Sequence, residues 1–74
     1  MNNDQLKNLI KKSLKIKKID AKTSSENTSE WDSLGHLSIL AALDKTTKGK
    51  TSKLNLSNAD SFAKLFKILK RNKI

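Results

Sequence analysis

The apolar positions of the chain fall into three stripes at helical spacing, separated by polar connections. Leu6, Leu9, Ile10 and Leu14 stand at i, i+3, i+4 and i+8, which places them on one helix face, with Lys7, Lys11, Lys12 and Lys15 mostly off it. Asn2 can cap this helix, and Gln5 follows three residues later in a capping-box arrangement. Leu34, Leu37, Leu40, Ala41 and Leu43 predict a second helix with a broad apolar face, capped by Asp32 or Ser33 and running to about Lys45. Phe62, Leu65, Phe66 and Leu69 form the cleanest stripe and predict a last helix capped by Asn58, Asp60 or Ser61.

The connections read differently from one another. Residues 20–30, with Thr23-Ser24-Ser25-Glu26-Asn27-Thr28-Ser29 at their centre, have no apolar period and are rich in side chains that compete for backbone hydrogen bonds. They predict an ordered or semi-ordered loop. Residues 46–53, with Gly49 among them, end the second helix, and Leu54 and Leu56 predict a short turn of helix. Strand signals are absent: there is no valine, no tyrosine and no sustained alternation. The fold class expected is all-α, a single domain over 1–74 forming a small four-helix bundle. It has three main helices, a short third one, and a long loop between the first two.

A chain of 74 residues leaves no room for an enzyme cleft plus a second domain. With no cysteine there is no disulfide and no thiolate nucleophile, and one histidine cannot by itself supply a zinc site. No apolar run approaches the roughly 20 residues of a membrane span. The Met1-Asn2-Asn3-Asp4 start does not read as a secretion signal, so a cytoplasmic protein without a membrane partner is expected. Sixteen Lys+Arg against seven Asp+Glu give a formal charge of +9, which points toward anionic partners. The charge is unevenly placed. Residues 1–20 hold six lysines and two acids, 48–53 three lysines, and 54–74 five basic residues and one acid. Residues 31–47 hold only Asp32, Asp44 and Lys45, so the basic charge avoids this segment.

That segment carries the candidate chemistry. It opens Trp31-Asp32-Ser33-Leu34-Gly35-His36-Leu37, with one serine between an acid and a leucine where a helix begins. A serine after an acid is ordinarily a helix cap. Here it follows a long polar loop and precedes an apolar helix, a short connection and a final amphipathic helix. The whole layout resembles the acyl and peptidyl carrier proteins, and Ala42-Leu43-Asp44 resembles the Ala-Leu-Glu that follows their attachment serine. The resemblance covers essentially the whole chain, with residues 31–43 as its one sharp motif.

The resemblance implies that a phosphopantetheinyl transferase moves 4'-phosphopantetheine from coenzyme A onto Ser33 Oγ. It implies further that Asp32 helps the transferase and its divalent cation recognise the site, and that Leu34 contacts partner enzymes beside the attachment point. The chain is then no enzyme but a monomeric carrier of an acyl or aminoacyl thioester. Its partners would be a loading ligase and a downstream transferase or synthase of a dedicated pathway. A phosphate at a helix N-terminus is physically favourable. Gly35 is expected to let a partner or the arm approach the backbone. Leu37 and Trp31 are assigned to packing, and His36 to a face that meets solvent or a partner.

The chain departs from the family in two respects. Along the second helix it offers Ser38, Asp44 and Lys45 where the relatives carry several carboxylates, which points away from housekeeping fatty-acid synthases as partners. Thr47 and Thr51 replace expected hydrophobic residues, which implies a short or polar cargo held outside the bundle. The alternative reading is a small basic helical nucleic-acid-binding protein. The +9 charge favours it, while a single arginine and the lack of an aromatic stacking set count against it.

Overall fold

Each helix begins at a cap that the sequence offers. In the computed structural model, which describes residues 1–74, the elements are α1 (Asn3–Leu14), α2 (Ser33–Thr46) and α3 (Phe62–Arg71). Asn2 Oδ1 accepts from the Gln5 N–H at 2.8 Å and Gln5 Oε1 accepts from the Asn2 N–H at 2.9 Å, a complete capping box. Asp32 caps α2 and Ser61 caps α3, each through its side-chain oxygen. The three helices also end alike. Lys15, Lys48 and Lys73 take the left-handed conformation just beyond them. The next N–H then reaches back to the carbonyl of Lys11, Asp44 or Leu69, respectively, closing a Schellman-type turn.

The expected short third helix is not an α-helix. One 3-10 turn spans Lys50–Lys53, ahead of Leu54 and Leu56, which lie in an irregular connection. Gly49, at φ 85°, turns the chain into it. The fold is therefore three α-helices and a 3-10 turn, all-α in class, with one isolated antiparallel bridge between Ser24 and Ser61.

Helices α1 and α2 run antiparallel. Leu14 at the end of α1 meets the start of α2 at Gly35, while Leu9 and Gln5 share a groove with Ala42 and Thr46. The core joins Leu6, Ile10 and Leu14 of α1, Ile39 and Leu43 of α2, and Phe62, Leu65 and Leu69 of α3. Trp31, Leu56 and Ala59 close it from the connections. In α2 the buried face shares only Leu43 with the predicted one. Ile39 and Leu43 are 0% exposed, whereas Leu34 and Leu37 are 75% and 61% exposed. At about 100° per residue, the Leu34, Leu37 and Ala41 stripe lies roughly opposite the buried pair.

The loop between α1 and α2 is held by its own polar side chains, as its composition predicts. Thr23 Oγ1 accepts from the Asp20 N–H at 2.9 Å, Asn27 Oδ1 from the Ser24 N–H at 2.9 Å, and the Asn27 amide donates to the Lys22 carbonyl at 2.8 Å. The loop is also tied to the start of α3. Phe62 N–H donates to the Thr23 carbonyl at 2.9 Å and Ser25 Oγ donates to Asp60 Oδ2 at 3.1 Å. Lys64 Nζ pairs with Asp60 Oδ1 at 3.3 Å. The Lys64 ammonium first, and the Ser25 hydroxyl second, hold the Asp60 carboxyl below its usual 3.8. With the loop folded back, the radius of gyration is 10.9 Å, matching the roughly 11 Å of a compact chain of this length. No helix is long and apolar enough to cross a membrane.

Candidate functional site

The predicted attachment segment forms one turn at the exposed N-terminus of α2. Trp31, only 2% exposed, anchors the segment in the core, and its N–H donates to the Thr28 carbonyl at 2.9 Å. The chain then turns outward. Asp32 is exposed and takes the N-cap position, its Oδ1 accepting from the Gly35 N–H at 2.8 Å. The capping role therefore falls to Asp32, which leaves Ser33 Oγ free of it. Ser33 is the first helical residue, exposed, and its hydroxyl makes no hydrogen bond within the chain. The backbone N–H groups of Ser33 and Leu34 are likewise without partners in the chain, as the first donors of a helix are.

Three neighbours depart from their predicted roles. Leu37, expected in the core, lies on the outer face with Leu34, because the inner face of α2 is occupied by His36, Ile39 and Leu43 at i, i+3 and i+7. Gly35, expected to leave space for a visiting group, has that space filled from within. A Cβ there would overlap the Glu30 carbonyl oxygen and lie 2.8 Å from Leu14 Cδ2. The glycine serves the close approach of the loop to α2 rather than the approach of a partner.

His36, expected to face solvent or a partner, is instead a half-buried strut. Trp31 Nε1–H donates to His36 Nδ1 at 3.0 Å, and His36 Nε2 lies 2.9 Å from the Leu56 carbonyl. An indole nitrogen can only donate, so Nδ1 accepts and the ring proton sits on Nε2, which donates to Leu56. This neutral tautomer ties α2 to both connections that flank it. The signal was present in the sequence as the i, i+3, i+7 relation of His36 to Ile39 and Leu43.

The geometry thus brings Asp32, Ser33 and Leu34 together on one exposed turn, with Leu37 one turn further along the same face. The core-anchored Trp31, His36 and Gly35 fix that turn from behind. The surface concavities of about 860, 580 and 430 Å³ include none of Asp32, Ser33 or Leu34. No family model matches the sequence, and neither a curated protein nor a solved structure matches the chain.

Proposed function

We propose that the chain is a carrier protein, with Ser33 Oγ as the attachment point for 4'-phosphopantetheine. The observation that carries this reading is an unbonded, exposed serine hydroxyl at the first position of α2, with an acid doing the capping beside it. A serine engaged as the N-cap would hold its hydroxyl against the helix. Ser33 does not.

The residues present fit the group. The free N–H groups of Ser33 and Leu34 and the positive end of α2 favour a phosphate bonded to Oγ. Ser33 Oγ would attack the phosphorus of coenzyme A that bears the pantetheine. An O–P bond forms at serine, the nucleotide half departs, and the serine proton leaves to a base of the transferase. Asp32, exposed and with Oδ1 committed to the cap, presents a carboxylate for recognition by the transferase and its divalent cation. Leu34 and Leu37 offer an apolar contact beside the arm. Bound there, the group supplies a thiol that holds an acyl or aminoacyl cargo as a thioester. None of these three concavities opens beside Ser33, in keeping with cargo held outside the helices.

The nucleic-acid reading has less support. The only tryptophan is 2% exposed and Phe62 4% exposed, and the half-buried Phe66 is stacked on Phe62 at 5.8 Å, so the chain presents no set of free rings to stack on bases. Intact-mass measurement after incubation with coenzyme A and several broad-specificity transferases tests the carrier reading. A gain of one phosphopantetheine is expected, and an unchanged mass with every transferase would reject it.

A further inference from the structure

The excess positive charge is not spread over the molecule. Residues 15–43 carry four lysines and four acids, and residues 54–66 one of each. The whole net charge therefore resides in 1–14, 44–53 and 67–74. The end of α2 with its 3-10 turn and the end of α3 meet the start of α1 at the pole opposite Ser33, and an open groove of about 860 Å³ runs from there along α1 as far as Lys12 and Ser13. Lys12, Lys48, Lys50 and Lys73 line this groove, and no aspartate or glutamate side chain does.

Like charges gathered around a concavity repel unless something answers them. The helix C-termini that carry Lys48 and Lys73 answer part of this, since their dipoles favour cations. Lys12 lies in the last turn of α1 and is favoured in the same way, whereas Lys50 opens the 3-10 turn and has no such explanation. None of the four is ion-paired, because the one salt bridge in the chain joins Lys64 to Asp60. Between the lysines the floor is apolar, with Leu9 and Ala42 half-buried. The volume lies in the range of small-molecule sites, about 300–1,000 Å³.

We propose that this groove binds a small anionic amphiphile, a molecule with a carboxylate or phosphate head on a single apolar chain. The lysines meet the head and the strip of Leu9 and Ala42 meets the chain. The site is distinct from the one in the carrier reading, since its lining includes none of Asp32, Ser33 and Leu34 and the nearest α2 residue in it, Ala42, lies 9 residues, or roughly 14 Å, along the helix from Ser33.

The test is amide chemical-shift titration of the full chain with monomeric dodecyl phosphate, beside inorganic phosphate and dodecyl maltoside. Saturable shifts centred on Leu9, Ala42 and Lys48 are expected with dodecyl phosphate, and much weaker binding of the other two. The triple variant Lys12→Gln, Lys48→Gln, Lys73→Gln should bind about tenfold more weakly or worse. The control Lys17→Gln, Lys18→Gln, Lys22→Gln removes the same charge at the other pole and should bind as the wild type does. Equal weakening in both triples would overturn the site, as would shifts centred elsewhere or equal binding of the neutral amphiphile. Capture by phosphatidylglycerol vesicles without binding of the monomer would overturn it in favour of a surface. Salt-sensitive binding to duplex DNA without binding of the amphiphile would do so in favour of nucleic acid. Ser33→Ala should leave all these results unchanged, whatever the fate of the attachment reading.

Discussion

Gly35→Ala sets two physical effects of opposite sign against each other. Helix propensity alone favours alanine over glycine by about 1 kcal/mol. The packing opposes it, because the added methyl would overlap the Glu30 carbonyl oxygen and crowd Leu14 Cδ2 at 2.8 Å. Overpacking costs about 1–3 kcal/mol, and a main-chain oxygen cannot rotate aside as a side chain can, so the upper end applies. Less the propensity gain, the net loss is about 2 kcal/mol. For a domain of this size that lowers Tm by about 8–16 °C. Thermal unfolding followed by far-ultraviolet circular dichroism measures it, with Ser38→Ala, an exposed position of the same helix, as the control. A Tm for Gly35→Ala equal to or above the wild type would refute the close approach of the loop to α2.

Leu37→Ala should cost less than about 0.5 kcal/mol, as an exposed position does. Leu43→Ala should cost about 2–5 kcal/mol, and urea unfolding of both compares the two faces of α2 directly. His36→Phe keeps the ring but leaves the buried Trp31 N–H and the Leu56 carbonyl without partners, and should cost about 2 kcal/mol or more by the same measurement. The Asp60 carboxyl is held below 3.8, so its stabilisation is present above that pH and is lost as pH falls through the lowered value. The Tm difference between wild type and Asp60→Asn should stay constant from pH 7 to about 4 and shrink below it.

Much of this architecture is written in local sequence. The Asn2–Gln5 capping box, the stripes of α1 and α3 and the polar composition of the loop each act within a few residues, so the pattern reports them directly. The buried face of α2 is different. Its apolar residues lie on both sides, so spacing alone admits two faces, and the choice is made by Trp31 and Leu56, which bond His36 from outside the helix. Gly35 was open to misreading for the same reason, since its neighbours Glu30 and Leu14 come from the loop and from α1. Leu54 and Leu56 did not form the turn because Gly49 starts it earlier, at Lys50. At the candidate site, the order acid, serine, leucine could be read at once. That Asp32 and not Ser33 does the capping required the three-dimensional hydrogen bond.

The central claim is that one hydroxyl of the chain, Ser33 Oγ, accepts phosphopantetheine. The chain has nine serines, so the direct measurement is peptide mapping by tandem mass spectrometry after transfer from coenzyme A, on wild type and on Ser33→Ala. The expected result is a single adduct on Ser33 and none in the variant. No adduct with any competent transferase, or an adduct on another serine that persists in Ser33→Ala, would contradict it.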